Sequence, residues 1–184
     1  MLGPVIEGER IRLEPPRAEF LPIYARWFAD MEVTRYLLHR FPFTRKAEEE
    51  WLEETGKDPH KVIWAIVLKD GHKLIGGTGL EKIDWRNRRA ESGTMIGERD
   101  EWGKGYATEA MRLRTRYAFR ELNLEKIVTH VVGPNDASRR ALERIGYRQC
   151  GTYHRHFFID GAWHDAWLAE ILSQDWHAQQ ETSS

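Results

Sequence analysis

The stretch RAESGTMIGERDEWGKGYATEAMRLRTRYAFRELNLEKIVTHVV, residues 89–132, constrains this chain more than any other. Its first part, with RRAESGTMIGE as the strand, ends at Gly97, and KIVTHVV is a short β-branched strand. Between them the spacing predicts a helix over 104–121, with Tyr106, Ala110, Leu113 and Tyr117 on one face and Arg112, Arg116 and Arg120 elsewhere. Two strands joined through a helix need a crossover connection and pair in parallel. A glycine-bearing turn, WGKG, stands directly before the helix.

The rest of the chain supplies antiparallel partners. ERIRLEPP alternates Ile11 and Leu13 against charged neighbours and stops at two prolines, as a strand does. Phe20, Ile23, Tyr24 and Trp27 fall at helical spacing, and a second, acidic helix is expected after Thr44. KVIWAIVLKDGHKLIGGTGLEKID reads as a hairpin turning at Asp70-Gly71. NDASRRALERIG reads as a helix capped by Asn135 and stopped at Gly146, and the segment from Arg148 to Leu172 as a closing hairpin turning at Asp160-Gly161. The fold class expected is therefore α/β: a mixed, mostly antiparallel central sheet with helices on both faces. One domain is expected over residues 1–174, with a polar tail that frays from Asp175 to Ser184.

Composition narrows the function. Lys+Arg (28) and Asp+Glu (29) nearly cancel, so no basic field points to nucleic acid. No stretch reaches the roughly 18 apolar residues of a membrane span, and the N-terminus lacks a secretion pattern, so no membrane partner and a cytoplasmic location are expected. One cysteine, Cys150, leaves no internal disulfide and no metal cluster. The eight tryptophans are read mostly as core or interface anchors.

The turn at 103–105 is a candidate anion site. The first helical turn carries unpaired amides and the positive end of the helix dipole, and glycine lets a phosphate come close. On these residues alone, a tight turn that uses glycine only for its φ fits as well. Neither a Walker loop nor a dinucleotide fingerprint has this spacing.

MIGERDEWGKGYATEAM, NDASRRALERIGY and IDGAWHDAW, in this order and spacing, resemble the GNAT superfamily of acetyl-CoA-dependent N-acetyltransferases, in particular its RimJ/RimL-like branch. The resemblance spans about residues 8–173. It implies that the parallel strands splay into a slot for acetyl-CoA. It implies further that the backbone of Trp102, Gly103, Lys104, Gly105, Tyr106 and Ala107 receives the pyrophosphate. Met95, Ile96 and Gly97 would then hold the pantetheine arm by main-chain bonds, Asn135 would contact the cofactor, and Ser138 would lie near the thioester sulfur. No metal is implied, and a homodimer is an assembly the resemblance allows. Where the superfamily often begins its phosphate loop with Gln or Arg, Asp100 stands here. Glu98, Asp100 and Glu101 are expected to turn to solvent, offset by Arg99 and Lys104.

Acetyl transfer needs a neutral amine, a polarised carbonyl and a proton for the thiolate. Ser138 is the candidate donor to sulfur, with Tyr153 and Tyr147 as alternatives. Glu91, His154 and His156 are the candidate bases, the two histidines sharing a face by strand period; His130 reads as a packing residue, and His164-Asp165 as a hairpin hydrogen bond. A dedicated base is dispensable for an α-amine: with pKa about 8 it is roughly a tenth neutral at pH 7, against about one part in 2,500 for a lysine-type amine, a difference of about 3 kcal/mol. The acceptor the resemblance favours is a protein N-terminal α-amine. A polyamine, an aminoglycoside or another small amine competes, and a noncatalytic acyl-CoA-binding module is the alternative of another class.

Overall fold

A computed structural model describes residues 1–37 and 44–182, with 179–182 as backbone only. In chain order its elements are β1 (Ile6–Glu7), β2 (Ile11–Glu14), α1 (Leu21–Phe28), α2 (Met31–Thr34), α3 (Arg45–Lys57), β3 (Val62–Leu68), β4 (Leu74–Asp84), β5 (Arg89–Ile96), α4 (Tyr106–Arg120), β6 (Lys126–Val132), α5 (Asp136–Arg144), β7 (Arg148–Ile159), β8 (Ala162–Leu172) and α6 (Ser173–Thr182). The strands form one sheet in the order β1-β2-β3-β4-β5-β6-β8-β7. Every pairing is antiparallel except β5 with β6. The mixed sheet expected from the crossover is the one observed.

Strand parity sorts the core into two layers. Ile11, Leu13, Val62, Trp64 and Ile66 point to one face, where Ala110, Leu113 and Phe119 of α4 and Leu142 of α5 meet them. Ala65, Val67 and Leu74 point to the other, under Leu21, Tyr24 and Trp27 of α1 and Leu52 of α3. The caps follow the sequence: Thr44 Oγ1 accepts from the Ala47 amide, and Asn135 Oδ1 accepts from the Ser138 amide. Of the eight tryptophans, Trp27, Trp64, Trp167 and Trp176 are buried, whereas Trp51, Trp85, Trp102 and Trp163 are exposed, so core anchoring accounts for half of them.

Two expectations are corrected. Helix α4 begins at Tyr106, because Gly105 at φ 88° is its N-cap rather than a helical residue. Residues 175–182 of the expected tail lie in α6, and Trp176 is 2% exposed against Phe119; the last two residues lie outside the described ones.

The decisive feature is what β5 and β6 fail to do. They pair only at Arg89↔Lys126, Ala90↔Ile127 and Glu91↔Val128, though β5 runs on to Ile96 and β6 to Val132. Four further residues at about 3.3 Å each make an opening roughly 13 Å long. At its apex the Thr129 hydroxyl donates to the Ser92 carbonyl at 2.9 Å.

Candidate active site

The open end of the slot meets the first turn of α4. No side chain caps this helix, so its leading amides are left for a ligand. Gly103 has φ 75°, and a Cβ built there meets nothing within 4 Å; the space over the turn is open. At Gly105 a Cβ would lie 3.3 Å from Arg10 Nη2. Arg10 fixes the turn from outside: Nη1 donates to the Lys104 carbonyl at 2.8 Å, and its guanidinium lies 4.8 Å from the centre of the Tyr106 ring. Glu109 Oε1 accepts from the amides of Arg10 and Ile11, tying α4 to β2. A rigid, uncapped helix start with a glycine approach fits an anionic phosphate.

Of the acidic residues beside this turn Asp100 is exposed as expected, but Glu98 and Glu101 are not turned to solvent. Glu101 is 8% exposed and accepts from both Lys73 and Lys104, each at 2.8 Å. Those bonds hold its carboxyl below the usual range and keep it charged. Glu98 accepts from Arg26 and, at 2.9 Å, from Trp27 Nε1. Internal cations thus neutralise both, and the site is less repulsive to phosphate than the sequence suggests.

Along the slot only part of the proposed pantetheine edge is free. The Gly97 amide donates to the Ile75 carbonyl at 2.8 Å, and Met95 pairs with Gly77, so both turn toward β4. By strand alternation the main chain of Ile96 faces the slot, where its carbonyl accepts from Trp102 Nε1 at 2.8 Å. Asn135 and Ser138 sit just past the end of β6, in the capped first turn of α5, with Ser138 half-buried.

A second group collects on the sheet face opposite α4. Glu91 pairs with Val128 and accepts from Lys82 Nζ at 2.9 Å, and His130 lies two residues along β6 on the same face. The His130 ring stacks on Phe157 at 5.9 Å, with the His156 ring 6.5 Å away; Tyr153 packs on His156 at 4.9 Å. Burial beneath these rings lowers the His130 pKa below 6.5, against the opposing pull of Glu91. His130 is thus a packed histidine, as expected, but it packs on the open sheet face rather than in the core, and it is neutral at pH 7. Its parity with Val128, the partner of Glu91, is the signal that could have found it.

His154 and His156 do not share a face. The ladder jumps from Tyr153↔Ala166 to Phe157↔His164, leaving three residues opposite Asp165, with Arg155 at φ 51°. Asp165 fills this bulge, accepting from the Arg155 amide at 2.8 Å and lying 3.0 Å from His154 Nδ1. Those contacts hold its carboxyl below the ordinary range. The hairpin bond expected of Asp165 exists, but it captures His154 and sends His156 toward His130. Tyr147, 3% exposed, has its hydroxyl 3.4 Å from Ser92 Oγ.

A family model described as an acetyltransferase (GNAT) domain matches residues 10–148. Uncharacterized N-acetyltransferase p20 of Bacillus licheniformis is 27% identical over 91% of this chain and 96% of its own. The protein called "Putative ribosomal N-acetyltransferase YdaF", from Bacillus subtilis, is 35% identical over 64% of this chain and 63% of its own. Spermidine N(1)-acetyltransferase of Escherichia coli is 32% identical over 64% and 62%. Among solved structures, a spermidine N-acetyltransferase from Vibrio cholerae in complex with CoA and spermine superposes with TM-score 0.85 at 23% identity, covering 91% of this chain and 98% of that one.

Proposed function

From the premise that this chain belongs to the GNAT acetyltransferases and is an acetyl-CoA-dependent N-acetyltransferase, we propose that its acceptor is a protein N-terminal α-amine, acetylated by direct attack in a ternary complex. The observation that carries this reading is the charge state of the acceptor side. On the closing hairpin and the sheet face beside it, Glu91 is paired with Lys82, Asp160 with Arg35 and Asp165 with His154. A polyamine carries several positive charges and needs unpaired carboxylates to receive them. A single α-amine needs none, and it loses its proton at pH 7 for only about 1.4 kcal/mol.

In this reading the amides at 103–107 receive the pyrophosphate, and the Ile96 main chain orients the pantetheine arm once Trp102 releases its carbonyl. Ser138 gives a proton to the departing sulfur. Water takes the proton of the amine, polarised by Glu91, His130 or His156. The name of the ribosomal relative supports a protein acceptor, while that of the spermidine relative supports a small polyamine as the second reading.

Thiol release from acetyl-CoA separates them, measured across peptides with free N-termini, the same peptides blocked at the α-amine, spermidine and an aminoglycoside. The free peptides are expected to give the highest kcat/KM. Spermidine turnover exceeding that of every free peptide would overturn the assignment and leave the polyamine reading.

A further inference from the structure

Arg114, in the middle of α4, is 1% exposed and among the largest fully buried side chains of the molecule. Its Nη1 donates to Thr78 Oγ1 at 3.0 Å, to the Gly93 carbonyl at 2.9 Å and to Thr94 Oγ1 at 2.8 Å, and Nη2 lies 3.5 Å from the Tyr147 hydroxyl. All of these partners are neutral oxygens. Among the described residues no carboxylate faces the guanidinium, and its Nε has no partner. A permanent cation buried without an anion is costly, and an apolar side chain of similar volume is usually the more stable choice.

The oxygens themselves do not require it. Thr78 Oγ1 already donates to the Gly93 carbonyl at 3.0 Å and lies 2.7 Å from Thr94 Oγ1. The place of this charge is what sets it apart. Gly93 and Thr94 follow Glu91 and Ser92, where β5 parts from β6, so the cation lies over the β4–β5 seam on the α4 side, level with the apex of the slot and joined to Ser92 through the Tyr147 hydroxyl.

We propose that Arg114 is a positioning residue that acts through its field: it supplies the fixed positive charge against which the thiolate departs. In the transfer, the lone pair of the amine nitrogen forms the new C–N bond, and the carbonyl π electrons move onto oxygen. They return as the C–S bond breaks, and sulfur leaves with the bonding pair. The nitrogen loses a proton to water, and sulfur gains one. Negative charge appears on oxygen and then on sulfur, and the buried guanidinium is a fixed positive charge beside the strand that lines the slot. This inference rests on acetyl-CoA occupying the slot.

The test uses Arg114→Met and Arg114→Lys in the full chain, with two measurements. The first is the ionisation of CoA bound to the protein, followed by thiolate ultraviolet absorbance across pH. The wild type is expected to ionise the bound thiol at lower pH than free CoA; Arg114→Met should lose this shift and Arg114→Lys should keep most of it. The second compares rate and stability. Arg114→Met should lower kcat about 10²-fold, the scale of one lost oxyanion donor, with the KM for acetyl-CoA within about threefold of wild type. Its urea midpoint should be unchanged or higher, as expected when a buried charge is replaced by a well-packed apolar group.

A role confined to packing predicts the reverse: a lower midpoint, and an unaltered thiol ionisation. Either of those results, or full kcat in a folded Arg114→Met, overturns the proposal while leaving the acetyltransferase reading in place. Failure of the wild type to bind CoA would remove the slot assignment instead, and the inference with it.

Discussion

His130 and Glu91 illustrate how much two neighbouring side chains decide. Glu91 is tied to Lys82 by an ion pair at 2.9 Å, and His130 is kept neutral by desolvation against Phe157 and His156. His130, with its pKa pushed down, does not have the environment of a dedicated base tuned upward to 7. An α-amine acceptor is therefore expected to give kcat/KM that climbs toward the pKa of the amine itself, near 8, with no second limb. Glu91→Gln and His130→Ala should each lower the plateau about tenfold, well short of the 10²–10⁴ of a dedicated base, and leave the midpoint in place. A limb below pH 6.5 that disappears in His130→Ala would instead make His130 the base. The same shift has a consequence for stability. The folded protein binds a proton at His130 less readily than the unfolded chain does, so this residue stabilises the fold above pH 6.5, and that contribution is lost as pH falls below it.

Helix α4 joins the cofactor site to the core, and its first turn is where a single substitution should separate binding from folding. In Gly105→Asp the new Cβ meets only Arg10 Nη2 at 3.3 Å, and Asp tolerates the left-handed φ of 88° at a cost of about 1 kcal/mol. Its carboxylate would stand where phosphate oxygens approach the amides. Calorimetry should find acetyl-CoA affinity at least about 10²-fold weaker in a protein that still unfolds cooperatively; unchanged affinity would move the pyrophosphate elsewhere. This turn, the Thr44 and Asn135 caps and the hairpin turns at Asp70-Gly71 and Asp160-Gly161 were legible in the sequence because each is set by a few adjacent residues. The bulge in β7 was not, since it depends on Asp165 across the hairpin, and counting by twos along β7 put His154 beside His156. Arg114 escaped for a related reason: helical periodicity treats every arginine as outward-facing, and only the tertiary positions of Thr78 and Gly93 bring this one in.

At the scale of the whole molecule, the cofactor helix is braced at both ends by parts of the chain far apart in sequence. Glu109 ties the first turns of α4 to β2, and Phe119 at the other end packs on Trp176 of α6, ring centres 6.3 Å apart. The apolar cluster that holds Trp176 also contains Leu124, Ile127 and Ile171, so α6 closes the base of the core beneath the paired ends of β5 and β6. A polar composition from Asp175 onward hides this, because one buried indole does the anchoring while its neighbours face water. Trp176→Ala is accordingly expected to cost about 3–5 kcal/mol, the range for emptying a large aromatic site in a core. Trp176→Phe should cost much less: it keeps most of the contact with Phe119 and removes the Nε1 donor, which is buried without a partner. Urea unfolding of the two variants, beside a chain ending at Gln174, tests the placement. The shortened chain should lose about as much stability as Trp176→Ala, because both empty the same site. If it unfolds at the wild-type midpoint, residues 175–184 are a dispensable tail and α4 stands without them. If all three variants lose stability but keep the wild-type KM for acetyl-CoA at temperatures where they remain folded, the brace maintains the core, and the geometry of the phosphate turn is set locally by Arg10, Glu109 and the two glycines.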